Sequence, residues 1–203
     1  MPTLLHEVEA RQTALLGLLE RAANRDSGAD QPGEMRVNAD RFLAATSRHL
    51  AASTGVLLPA VKDHLAGGGG EVRDFARRCK RLERTLVTAH AKLYGQAQCT
   101  SEPWSSVWST VGDQLAQTAR AERRLVATLG EHLDSETEAR LRHRFTSTVG
   151  SSQTRPHPHL PHTGVAGRVA RWLCGKIDLV WDELQGRVTS EARPLVRTPD
   201  NTA

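Results

Sequence analysis

The sequence predicts an all-α protein: a four-helix up-and-down bundle with a short helix and a further C-terminal helix packed on it. Three observations carry that prediction. Aromatic residues make up only 4% of the 203 residues, and β-branched residues are sparse beside Ala, Leu, Arg and Glu, a balance that favours helix over sheet. Four long segments repeat apolar residues at three-four spacing, the signature of a helix with one buried face. The links between them are short, the first rich in Asp, Gly and Pro and the second a run of four glycines, so successive helices return antiparallel.

The first helix is expected from Thr3 to Asn24, with Leu5, Val8, Gln12, Leu15, Leu19 and Ala22 on its inner side. Gln12 is the odd member of that stripe. Arg25 to Met35 reads as a loop, and a second helix opens near Asn38 or Asp40, both good caps. Its inner stripe is Phe42, Thr46, His49, Ser53, Val56 and Ala60, widened by Leu50, Leu57 and Val61, and Pro59 is placed to kink its last turns.

Gly67 to Gly70 is a break, because four consecutive glycines lose too much backbone entropy in a helix. The third helix, about Glu71 to Gly95, buries Phe75, Cys79, Leu82, Leu86 and Leu93, with Ala89 and His90 competing for the remaining inner turn. After a short connection from Gln96 to Pro103, Ser101 is expected to cap a fourth helix. Its stripe reads Trp108, Val111, Leu115, Thr118, Glu122, Leu125, Leu129 and then His132 or Leu133.

Ser135 with Glu138 has the spacing of a capping box opening a short helix to about Thr148. The prolines of Thr154 to Gly164, TRPHPHLPHTG, favour an extended path, and a last helix runs from about Val165 to Gly186. The resulting division is a bundle over 1–133, an extension packed on it over 134–187 and a disordered tail over 188–203.

Composition narrows the function classes. The formal charge of +4 comes from Arg-rich helix faces with acidic residues scattered among them, and no stacking aromatics or nucleic-acid-binding module accompany it, so no nucleic acid is expected as a partner. No stretch approaches the ~18 apolar residues of a membrane span, and the opening MPTLLHEVEARQ is acidic where a signal peptide would be basic. Three cysteines without a CxxC pair suit a reducing compartment. A cytoplasmic protein without a membrane partner is the expectation.

Polar residues interrupt the apolar stripes of the first, second and fourth helices near their middles: Gln12, the pair His49 and Ser53, and the pair Thr118 and Glu122. Residues four apart on a helix face the same way, so each pair aims two polar groups into the bundle interior. A carboxylate buried there needs a cation, a metal or hydrogen-bond donors. One solution is a bound metal; the other is a hydrogen bond from His49 to Glu122, with Gln12, Ser53, Thr118 or Arg11 satisfying what remains.

The segments RHLAASTGVLLPAV (Arg48 to Val61) and TARAERRLVATL (Thr118 to Leu129) resemble the second and fourth helices of the hemerythrin-like, or HHE cation-binding, family. The resemblance spans roughly Leu4 to Leu133, and TRPHPHLPHTG with the helix after it resembles the C-terminal region of a bacterial subgroup of that family. It implies a bundle whose His-x3-Glu pairs ligate two irons. His49 matches the His of the second helix, but Ser53 stands in the place of its Glu. Glu122 matches the Glu of the fourth, but Thr118 stands in the place of its His. On the first helix Gln12 or Arg11 occupies the turn of the family's His, and His90 is the one histidine of the third.

A di-iron centre takes about seven protein ligands, so the resemblance implies a degenerate member without a complete site. No cofactor is then expected, and the role is that of a non-catalytic interaction or regulatory protein with a protein partner. The alternative is an iron-binding module for oxygen, nitric oxide or peroxide binding or sensing, through a residual metal held by His49, Glu122 and His90. An enzyme acting on peroxide at such a metal ranks last, since no open, reactive ligand set is displayed.

The remaining candidates are weaker. His157, His159 and His162 lie on an extended path where only His159 and His162 share a side, and a loop packed across the bundle end accounts for them. Cys79 reads as core filler. Trp104, Trp108, Trp172 and Trp181 read as anchors joining the C-terminal helix to the bundle.

Overall fold

The computed structural model describes residues 2–24, 32–65, 68–94 and 102–151, and every regular element among them is helical. The expectations for TRPHPHLPHTG, the last helix, Trp172, Trp181 and the tail fall outside the described residues, as does Ser101.

Helix α1, Leu4–Ala23, begins where Thr3 leaves the helical region and its Oγ1 accepts from the His6 N–H at 3.1 Å. A second cap comes from far along the chain: the Leu4 N–H donates to Glu138 Oε1 at 2.9 Å. The buried face is Leu4, Val8, Gln12, Leu15, Leu19 and Ala22. Leu4, one turn before Val8, replaces the expected Leu5, which is only partly buried.

Helix α2, Pro32–Ala52, starts six residues ahead of Asn38, in the segment expected to be a loop. Pro32 explains this, because a proline at the first helical position lacks only an N–H that has no intrahelical partner anyway, and its fixed φ suits the helix. Phe42, Thr46, His49, Leu50, Ser53, Val56, Leu57, Ala60 and Val61 are all buried as their spacing requires. Hydroxyls on this face satisfy themselves locally. Thr46 Oγ1 donates to the Phe42 carbonyl and Thr54 Oγ1 to the Leu50 carbonyl, each at 2.8 Å.

The expected kink at Pro59 takes the form of a widened turn. Ser53–Leu57 is π-helical, with the Leu58 N–H bonded to the Ser53 carbonyl, before α3, Leu58–His64, resumes. Pro59 has no N–H to offer the Gly55 carbonyl, so the ladder skips a residue there.

Helix α4, Gly69–Leu93, starts inside the glycine run and not after it. Its buried face is Val72, Phe75, Cys79, Leu82, Glu83, Leu86, Ala89 and Leu93, so Ala89 takes the inner turn and His90 sits half-buried at its edge. Helix α5, Trp104–Gly130, follows Pro103 and buries Val107, Trp108, Val111, Leu115, Thr118, Glu122, Leu125, Val126 and Leu129. Trp108 meets Phe42 edge to face, with ring centroids 6.0 Å apart. The helix ends before His132, which is exposed.

Helix α6, Ser135–Ser151, is capped by Asp134, which displaces Ser135 from that role: its Oδ1 accepts from the Thr137 N–H at 2.7 Å. Glu138 is thereby left to cap α1. Most of the stability of such a helix comes from tertiary packing and not from propensity. What holds α6 is the burial of Leu141 and Phe145, each contributing about 1.5–3 kcal/mol.

Helix α1 packs on α2 and α5, α4 on α5, and α6 on α2, on the π turn and on α1. Gln12, His49, Ser53 and Glu122 therefore meet in the layer between α1, α2 and α5. No helix among the described residues is long and apolar enough to cross a membrane.

Candidate functional site

Glu122 is 1% exposed and its carboxylate is enclosed by donors from two other helices. His49 Nε2, on α2, lies 2.8 Å from Oε2. Gln12 Nε2, on α1, donates to the same oxygen at 2.8 Å and also approaches the Ala119 carbonyl at 3.3 Å. Ser53 Oγ, at the first residue of the π turn, contacts Oε1 and lies 2.8 Å from the His49 carbonyl.

The amide of Gln12 is oriented from its other end, where Arg123 Nη1 donates to Oε1 at 3.0 Å. His49 is held edge-on to Phe145, with ring centroids 5.7 Å apart. An acid facing only donors must be ionised to use them all. Burial pushes the Glu122 pKa up, but the His49 charge and the hydrogen bonds from His49, Ser53 and Gln12 outweigh it and leave the group below the usual carboxylate range.

The structure brings His49 and Glu122 together and does not bring His90 to them. His90 packs against Tyr94 with the rings tilted by 35° and their centroids 4.7 Å apart, at the C-terminal end of α4. The physical reason is register: Leu86, Ala89 and Leu93 occupy the inner turns, which places His90 one step round the helix. Thr118 Oγ1 is bonded to the Gln114 carbonyl at 2.8 Å, and Arg11 Nε to Glu7 at 2.7 Å, so neither enters the network.

A two-iron centre does not fit these residues. Both oxygens of Glu122 already accept from protein donors, His49 Nε2 is engaged with that carboxylate, and no group of three or more His, Cys, Asp or Glu residues among the described ones could hold a metal ion. Cys79, also in the core, is no substitute ligand. Burial pushes its thiol well up, and the nearby Glu122 and Glu83 carboxylates push it further, so it stays protonated.

Sequence reasoning missed Phe145 and Arg123. Phe145 had a signal, the Leu141, Phe145 and Val149 spacing on α6, whereas Arg123 had none, since it reads as one more surface arginine. No family model matches the chain, and neither a curated protein nor a solved structure matches it.

Proposed function

We propose that this chain is a degenerate hemerythrin-like domain, an up-and-down four-helix bundle with α6 docked on it, acting as a non-catalytic interaction or regulatory protein. The single observation that supports the reading is the closed state of Glu122. Where the resembled family would use a carboxylate and imidazoles on metal, this carboxylate is saturated by His49, Gln12 and Ser53. The substitutions at Ser53 and Thr118 are of a kind that lets the network close without a cation, because hydroxyls donate or satisfy themselves locally.

Metal analysis of the full chain produced in iron-rich medium tests this. Substoichiometric metal, the same in His49→Ala and Glu122→Ala, together with thermal unfolding that a chelator does not alter, is the expected result. Stoichiometric iron that disappears in either variant would replace this reading with the iron-binding one.

A further inference from the structure

His49 belongs to two environments. Its Nε2 serves Glu122, but the residue also lines a cleft of about 540 Å³ between α1, α2 and the end of α6, a volume in the range of small-molecule sites. One side of that cleft is basic, with Arg11, Arg41 and Arg48 beside the imidazole. The other is apolar, with Leu15, Leu18 and Val149. Among the described residues no carboxylate lines it; Glu7, one turn before Arg11, holds the Arg11 Nε at 2.7 Å.

Two buried polar atoms of this wall have no hydrogen-bond partner among the described residues, His49 Nδ1 and Arg41 Nε. His49 is only 5% exposed, so its Nδ1 gains little from bulk water. Unsatisfied buried donors and acceptors are costly, and two of them in residues that line one cleft mark a place where a ligand would be retained.

We propose that the cleft binds a small amphiphilic anion, a carboxylate with a short alkyl chain, whose head meets Arg41 and whose chain lies along Leu15, Leu18 and Val149. Charge complementarity selects the head, since guanidinium groups pair with carboxylates through directed hydrogen bonds. The apolar wall selects against a bare inorganic anion. The site goes beyond the regulatory reading and does not rest on it, because neither Gln12, Ser53 nor Glu122 lines the cleft and it needs no statement about metal.

Calorimetric titration of the full chain with octanoate, octanol and acetate tests the proposal. Octanoate should bind one per chain, with octanol and acetate each weaker by about tenfold or more, the scale of one charge-assisted hydrogen bond or of a few buried methylenes. Arg41→Gln should weaken octanoate by a similar factor while keeping its circular dichroism, and octanoate but not octanol should shift the His49 ring nitrogen resonances of the wild-type chain.

Octanoate binding no tighter than octanol would reduce the cleft to an apolar surface, and acetate binding as tightly as octanoate would reduce it to a basic patch. Either result, or unchanged affinity in folded Arg41→Gln, overturns the proposal. Where that variant does not fold, the wild-type comparison and the His49 resonances decide alone. None of these outcomes bears on iron content, so failure here is distinct from failure of the functional reading.

Discussion

Glu122→Ala should be among the most destabilising single changes in this chain, and the structure sets the size. It removes the acceptor of His49 Nε2 and Gln12 Nε2, both 2.8 Å away, while Ser53 Oγ can fall back on the His49 carbonyl at 2.8 Å. Two buried donors are left without their main partner, at about 1–3 kcal/mol each. The cavity left by a side chain that is 1% exposed adds to that. A loss of about 3–5 kcal/mol follows, the range seen when one member of a buried pair is removed.

Replacing the whole network by apolar groups should behave differently. In Gln12→Leu/His49→Phe/Glu122→Met the two buried donors leave together with their acceptor, the half-buried Arg123 that loses Gln12 Oε1 keeps access to solvent, and an aromatic ring at position 49 keeps the edge-on contact with Phe145. That triple variant is expected within about 1.5 kcal/mol of wild type. Urea denaturation followed by far-ultraviolet circular dichroism reads both. With a slope of about 2 kcal/mol/M, the single variant moves the midpoint down by roughly 2 M and the triple by less than 1 M. A Glu122→Ala midpoint within about 0.5 M of wild type would refute the closed network, because solvent or another group would have to be serving those donors already.

Three further outcomes follow from the same geometry. The Glu122 pKa is lowered from 4.5 in the folded chain, so its stabilising contribution is full above about pH 4.5 and is lost as pH falls through the folded value; Glu122→Gln should flatten that part of a melting-temperature profile. Ser53→Glu would set a second carboxylate against Glu122, where both cannot ionise, so its urea midpoint should lie well below wild type at pH 7 and approach it on acidification to about pH 5. Glu138→Ala removes the acceptor of the Leu4 N–H and should cost about 0.5–2 kcal/mol, with faster amide exchange confined to the first turn of α1.

How much of this was legible in the sequence depended on whether a feature belongs to one helix or to several. The stripe of α5 from Trp108 to Leu129 could be read from its spacing, because one periodicity runs along most of a 27-residue helix. Helix starts were harder. Pro32 and Gly69 both look like breakers, yet each sits in a first turn, where the N–H groups have no intrahelical partners and the cost of such residues is small. Ser135 and Glu138 satisfy the capping-box pattern, but Asp134 is a stronger acceptor one residue earlier, and only the tertiary approach of α1 gives Glu138 its partner.

The site divides along the same line. Gln12, His49, Ser53 and Glu122 stood out because a polar residue on an apolar stripe is visible within one helix, and pairing them needed only the spacing of four. Arg41 and Arg48 did not stand out, since an arginine at the edge of a stripe looks like a solvated charge until a neighbouring helix is placed beside it. His49 belongs to both groups. On its own helix it reads as half of a metal pair. In the folded chain its Nε2 is committed to Glu122, and its Nδ1 is left beside a basic cleft contributed by α1, α2 and α6. A single histidine on an apolar stripe can thus hold the core in register with one nitrogen and leave the other at the wall of a second site, so a substitution at position 49 acts on both at once.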